Sequence, residues 1–180
     1  MKNINWQLIG EAVEFYKSHG FAYIETPWIV PTNVMQITCP HFDNMRELNN
    51  GYSGLVGSAE QGFLSLAMKD QLPKVNYVSA GPCFRIENYD ELHQSQFFKV
   101  ELFVRCTTAQ SANFAAKELR NRAHKFMNYV PDVVYTDEGS DLEINGIEVG
   151  SYGARYNENV GWWAYGTGLA EPRYTQALSV

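Results

Sequence analysis

The sequence predicts an α+β domain built on a mostly antiparallel β-sheet flanked by helices. Two observations carry this. Strand-like runs outnumber segments with helical periodicity. The strands also follow one another through hairpins rather than through helical crossovers, which favours antiparallel pairing. The strongest local signal is Leu142 to Val149, where Asn145-Gly146 falls between two alternating arms.

At 180 residues the chain suits one domain, 1–180, with a core of its own. The formal charge of −6 excludes a broad, non-specific nucleic-acid surface. Three Cys without a C-x-x-C pair point away from a disulfide framework and toward a reducing compartment. The first residues, Met1 to Trp6, lack the apolar core of a signal peptide, and no apolar run is long enough to span a membrane. A soluble, cytoplasmic protein is expected.

Residues 4–18 place Trp6, Ile9, Val13 and Tyr16 at helical spacing, and His19-Gly20 supplies a stop. Phe21 to Glu25 reads as a strand that Pro27 ends, and Trp28 to Pro31 continues extended. Residues 32–50 read as irregular and polar. Leu55-Val56 is a short strand. Ser58 then caps a helix, with Gln61 at N3 completing a capping box, and the helix runs to about Lys69 over Phe63, Leu64, Ala67 and Met68. Val75 to Ala80 is a strand leading through Gly81-Pro82. Residues 111–129 form a second long helix with Ser111 as N-cap and Phe114, Leu119, Ala123 and Phe126 toward the core. Trp162 to Tyr165 is a last strand with one tryptophan buried and the other on the opposite face. Gly166 to Arg173 turns into a terminal helix.

The stretch Cys83 to Cys106 organises the rest. Phe84-Arg85-Ile86-Glu87 forms one arm, Asn88 to Leu92 a loop, and Phe97 to Cys106 the other arm. Alternation puts Val100, Leu102, Val104 and Cys106 on one face. The other face carries Phe97, Lys99, Glu101, Phe103 and Arg105, a poor core and a fitting floor for a charged, planar ligand.

These residues, taken together, resemble the catalytic core of the class II aminoacyl-tRNA synthetases, nearest the seryl type. The family's first motif, a helix and then a strand ending in proline, resembles Gly20-Phe21 through Pro27. Its second, F-R-x-E, a loop and [R/H]-x-x-x-F-x-x-x-E, is matched by Phe84, Arg85, Glu87, His93, Phe97 and Glu101. The seryl form of its third, G-S-G-L-A-x-x-R, is similar to Gly166 to Arg173. Ser58-Ala59-Glu60 stands where T-x-E recognises the amino acid's ammonium. Glu148-x-x-Ser151 stands where E-x-x-S binds the ATP-linked metal.

The resemblance implies activation of an amino acid by attack of its carboxylate on the α-phosphate of ATP. Positioning and electrostatics carry most of such a reaction. Arg85 and Arg173 would be the catalytic pair. Arg85 would fork onto the α-phosphate. Phe97 and the Arg173 guanidinium would sandwich adenine. Glu87 would accept from the adenine amino group, and His93 would meet the γ-phosphate. Ser58, Glu60, Glu101 and Ser151 would bind the amino acid. Glu148 and Ser151 would hold Mg²⁺. The Asn145-Gly146 hairpin adds Glu143 to that set, because it sets Glu143 directly opposite Glu148, where like charges repel unless a cation lies between them.

The resemblance also implies a homodimer through residues 4–31 and an acceptor that is either tRNA or a carrier protein. The short 88–92 segment, the acidic balance and the lack of an anticodon-binding domain favour adenylate chemistry over tRNA contact. Blander roles stay open for single residues: Glu60 as a helix-dipole partner, Glu143 and Glu148 as solvated carboxylates. A second class of function also stays open, a non-catalytic paralogue acting as a regulator, subunit or binding module.

Overall fold

The computed structural model describes residues 3–39, 45–73, 75–86 and 94–180. A seven-stranded sheet forms the body of the α+β domain. Its strands are β1 (Ala22–Tyr23), β5 (Asn76–Phe84), β6 (Gln96–Cys106), β7 (Asp132–Thr136), β8 (Gly139–Ile144), β9 (Ile147–Asn157) and β10 (Gly161–Glu171), in the spatial order β1-β5-β6-β10-β9-β8-β7. All pairings are antiparallel except β1 with β5. A small sheet, β2-β4-β3, joins β2 (Ile29–Pro31), β3 (Arg46–Glu47) and β4 (Ser53–Leu55).

Among the described residues five helices flank the sheets: α1 (Trp6–Ser18), α2 (Thr32–Thr38), α3 (Ala59–Ala67), α4 (Ala109–Met127) and α5 (Arg173–Ala177). Helices α1, α4 and α5 cover one face of the large sheet around Tyr16, Val100, Leu102, Leu119, Tyr152 and Leu169. Helices α2 and α3 cover part of the other around Met35, Phe63, Leu64, Phe103 and Trp163. Adjacent residues of β6 feed opposite layers, as period-2 alternation requires. Trp163 is the fully buried one of the two tryptophans, and Trp162 sits half-buried beside Tyr156.

Several sequence expectations change on folding. The first arm of the central hairpin is Asn76–Phe84, one unbroken strand that includes Gly81-Pro82, and Arg85 lies just past its end. The strand tolerates Pro82 because the Phe84 amide, two residues on and so pointing the same way, turns out of the sheet to Val56 O at 2.8 Å. A proline there therefore removes no ladder bond. The 32–50 stretch is not irregular throughout: α2 forms within it and buries Val34 and Met35, and Arg46–Glu47 pairs with β4. The Phe21–Glu25 strand shortens to two residues, and the Leu55-Val56 strand becomes Ser53–Leu55. Strand β7 was not foreseen, its five residues all being exposed at the sheet edge.

Helix ends shift as well. Thr108, not Ser111, caps α4, and Ser111 is the N3 member of its capping box. Ser58 caps α3 by accepting from Glu60 N, while the Gln61 side chain accepts from Gly57 N instead of closing the box. Trp6 and Phe114 are exposed rather than core, although Trp6 packs edge-on against Phe98. The Asn145-Gly146 turn is as expected, with φ of +52° and +74°, the left-handed pair that a two-residue hairpin demands.

The glycine-rich Gly166–Glu171 segment is a continuation of β10, not a turn. It bulges between Thr167 and Leu169. Gly168 makes this possible, since a Cβ there would lie 2.6 Å from the Tyr16 ring, whose hydroxyl donates to Gly168 O at 2.9 Å. Gly168→Ala should therefore destabilise the fold by about 1–3 kcal/mol through overpacking. That corresponds to a drop of roughly 2–10 °C in thermal midpoint for a domain of this size. A midpoint unchanged in calorimetry would contradict this packing.

Candidate active site

Below α3, on the sheet face that α2 and α3 leave partly open, the polar side of β6 runs from cleft to core. Phe97 and Lys99 line the cleft, Glu101 is buried at its edge, and Phe103 is fully buried against Phe63 and Trp163. The sequence reading of this whole side as a ligand floor holds only for its first half. Farther along, α3 covers the sheet and the same face becomes core.

The cleft has two chambers. The first, of about 240 Å³, is bordered by Arg85, Phe97, Glu148, Pro172 and Arg173. The second, of about 300 Å³, is bordered by Ser58, Glu60, Glu101, Glu138, Arg155 and Tyr165. Arg85, Lys99, Ser151 and Thr167 border both and mark the junction.

The junction is built by hydrogen bonds to backbone and by aromatic contact. Arg85 Nε donates to Gly57 O at 3.1 Å, and its guanidinium lies 5.2 Å from the centre of the Phe97 ring. Across the first chamber Arg173 Nη1 stands 3.7 Å from Glu148 Oε1. Glu143 is in register with Glu148, as the hairpin predicts, but borders neither chamber. Asp132 pairs in turn with Glu143. Burial raises the Asp141 carboxyl above its usual range, and Glu148, Glu143 and Glu138 add to the rise. The outer strands thus gather negative potential beside the first chamber.

Glu101 is the anchor of the second chamber. Its Oε1 accepts from Ser58 Oγ at 2.6 Å and faces Lys99 Nζ at 3.3 Å. Its Oε2 accepts from the Ala59 amide and from Cys83 Sγ at 3.8 Å. Burial pushes this carboxyl upward, but Lys99, the Ser58 and Ala59 hydrogen bonds and Arg85 together hold it below the usual range. The same burial, with Glu101 alongside, pushes the Cys83 thiol up, so it stays a neutral donor.

Glu60, one turn-residue farther along α3, is almost completely buried. Its Oε1 accepts from Trp163 Nε1 at 2.7 Å and its Oε2 from Arg155 Nη1 at 2.8 Å. Arg155 Nη2 reaches Glu138 at 2.8 Å, and its guanidinium lies 4.3 Å from the Tyr165 ring centre.

Of the residues singled out in the sequence, Arg85, Phe97, Glu148, Ser151 and Arg173 meet in the first chamber, and Ser58, Glu60 and Glu101 in the second. Glu87 and His93 lie outside the described residues. Glu138, Arg155, Trp163 and Tyr165 were not singled out as site residues, and Lys99 was placed on the ligand floor without a role of its own. Period-2 counting could have found three of the four. Arg155 is four residues past Ser151 on the same strand, and Trp163 and Tyr165 precede Thr167 by even steps. Only Glu138, in the β7–β8 turn, carries no such signal.

Comparison with known proteins gives a fold and no close relative. No family model and no curated protein matches the sequence. Among solved structures, the pyrrolysyl-tRNA synthetase of Desulfitobacterium hafniense aligns over 96% of this chain and 67% of its own, with a TM-score of 0.74 at 14% identity. Its PylSc structure gives 97%, 68%, 0.77 and 15%. The seryl-tRNA synthetase of Pyrococcus horikoshii, complexed with ATP, aligns over 97% of this chain and 49% of its own, with a TM-score of 0.73 at 19% identity. The fold is that of the class II aminoacyl-tRNA synthetase catalytic core. The likeness does not single out the seryl type, since pyrrolysyl enzymes align equally well.

The Glu101 cluster predicts a pH-dependent stability. Glu101→Gln should cost about 3 kcal/mol near neutrality, because it leaves half-buried Lys99 without its carboxylate and puts an amide NH₂ among the buried donors of Ser58, Ala59 and Cys83. The wild-type carboxyl titrates lower when folded than when unfolded. Its contribution is therefore complete above the unfolded value of about 4.3 and is lost as the pH falls through the lower folded value. Urea unfolding at pH 7 and pH 3 should show the gap between variant and wild type narrowing in acid.

Proposed function

We propose that this protein activates an amino acid with ATP, forming an aminoacyl-adenylate and releasing pyrophosphate. The observation that carries this reading is the two-chambered cleft with Arg85 and Lys99 at its junction. In it the adenine and phosphates of ATP occupy the first chamber and the amino acid the second. The substrate carboxylate meets the α-phosphate at the junction, attacks phosphorus, and pyrophosphate leaves with the bonding electrons. Two cations there offset the charge that accumulates on the phosphoryl oxygens. Phe97 and Arg173 hold adenine between them, with Arg85 moving from the Phe97 ring to the α-phosphate. Glu87 and His93 complete the nucleotide contacts.

Mg²⁺ suits the negative potential along β8 and β9. Among the described residues no group of three or more His, Cys, Asp or Glu side chains forms a cage. Mg²⁺ needs none, because it keeps waters and takes phosphate oxygens together with one or two carboxylates. Glu148 and Ser151 would hold it at the chamber wall, with Glu143 behind. The ion would supply charge neutralisation at the β- and γ-phosphates.

The acceptor of the aminoacyl group is tRNA or a carrier protein. Among the described residues no helix is long and apolar enough to cross a membrane. Two copies would associate through residues 4–31, where Trp6, Tyr23, Trp28 and Ile29 expose apolar surface. Sedimentation should then give a dimer, and Trp28→Glu a monomer. A wild-type monomer at micromolar concentration would count against this interface.

ATP–pyrophosphate exchange with a panel of amino acids tests the function. Exchange is expected with at least one, falling by about two to three orders of magnitude in Arg85→Ala, the usual effect of removing a charge-stabilising group. Arg173→Ala should mainly raise KM for ATP. No exchange with any amino acid from folded wild type, together with calorimetric binding of ATP, would leave the non-catalytic paralogue as the reading that survives.

A further inference from the structure

Arg155 has no role in the reading so far, yet its guanidinium is held by Glu60, Glu138 and the Tyr165 ring. It lies directly across from Trp163 in the β9–β10 ladder. Neighbouring strands therefore present the guanidinium and the indole side by side on the cleft face. Each donates to a different oxygen of Glu60, at 2.8 and 2.7 Å. Trp163 is fully buried between Phe103 and the sheet and cannot follow Glu60 if it moves. Arg155 is itself stacked on Tyr165 and tied to Glu138.

A carboxyl as enclosed as Glu60 is uncharged unless it is paired, because burial penalises the anion. Burial holds the Glu60 carboxyl above its usual range and nearby Glu101 adds to the rise, while Arg155 and Trp163 pull it back toward the anion. The charged and titratable groups bordering the chamber with Glu60 are Lys99 and Glu101 from β6, Arg85 after β5, Arg155 and Tyr165 from β9 and β10, Glu138 from the β7–β8 turn, and Cys39 at the end of α2. Three carboxylates face three cations, and Lys99 already serves Glu101. Without Arg155, Glu60 has no cation of its own. With it, each Glu60 oxygen carries one donor and keeps acceptor capacity for a second.

We propose that Arg155 is a positioning residue that fixes Glu60 as an anion facing the second chamber, where it takes the ammonium of an α-amino acid. This rests on the reading of that chamber as the amino-acid pocket. It extends the reading to a discrimination: the chamber accepts α-amino acids and rejects the matching α-hydroxy acids, which bring no cation to the buried carboxylate. The discrimination depends on Arg155 through its hold on Glu60.

Two measurements test it. In the free chain, the Glu60 carboxyl is followed by ¹³C NMR in glutamate-labelled protein, assigned by Glu60→Gln. Arg155→Gln should move its titration midpoint up by a unit or more. In ATP–pyrophosphate exchange with the amino acid that wild type accepts, Arg155→Gln should raise KM for the amino acid at least tenfold with little change in kcat. Its acid limb in kcat/KM should move to higher pH, since a Glu60 that protonates more readily loses the ammonium sooner as pH falls. Preference over the hydroxy-acid analogue should shrink by the same factor, and Arg155→Lys should restore the limb.

An unmoved Glu60 titration in folded Arg155→Gln overturns the proposal, as does an acid limb that stays in place. If Arg155→Gln does not fold, Arg155→Lys carries the test. It keeps the charge but not the fork, so KM should rise several-fold with the limb unmoved, and an unchanged KM overturns the proposal. Wild type that exchanges with no amino acid defeats the reading of the cleft, whereas the NMR titration still decides whether Arg155 keeps Glu60 charged.

Discussion

A buried carboxylate on β6 holds the cleft together. Glu101 receives the Ser58 hydroxyl and the Ala59 amide, so it ties the first turn of α3 to β6 and fixes where that helix begins. The helix start has unpaired amides and a partial positive charge, and an anion placed there satisfies both. Lys99 and Cys83 complete the set, leaving no oxygen of Glu101 without two donors. The α3 wall of the second chamber is set by this joint: Glu60 is the next helical residue after Ala59, and Gly57, just before the cap, accepts from Arg85.

The joint also explains why one strand face can be both core and cleft. Beyond Glu101, α3 lies on the sheet and Phe103 packs with Phe63 and Trp163. Before it, the helix has not yet begun, so Lys99 and Phe97 face open space. The opposite face of β6 has no such division, because α1, α4 and α5 cover it and bury Val100 and Leu102. Charge is arranged along the same line. Cations collect at the junction, Glu148 of β9 borders the first chamber, and the carboxylates of β8 stand outside it. The carboxylate side repels phosphate oxygens unless a cation lies between them, which is where the proposed Mg²⁺ would act.

Much of this was legible in the residues. Alternation along Phe97 to Cys106 separated the two layers correctly. The Asn145-Gly146 turn set the Glu143–Glu148 register. The family-like motifs named eight residues that do converge: Ser58, Glu60, Arg85, Phe97, Glu101, Glu148, Ser151 and Arg173. What escaped were contacts made across strands or between distant segments. Arg155 and Trp163 act on Glu60 from 95 and 103 residues away, so no local pattern could pair them. Glycines misled for a different reason. Gly166 and Gly168 looked like a turn, but they are small because Tyr152 and Tyr16 pack where their side chains would be. Helix α2 was hidden because its apolar residues are few and its support comes from α3.

The sequence by itself determined the α+β class, the antiparallel order of the main hairpins and the residue types that meet in the cleft. Those follow from periodicities of two and 3.6 and from turn chemistry, which act over a few residues. Only the tertiary structure decided which polar groups are spent on one another. Glu101 is consumed by four donors, whereas Glu60 keeps room on both oxygens. The difference arises because burial makes each charge depend on the partners that folding brings to it, and those partners come from other strands.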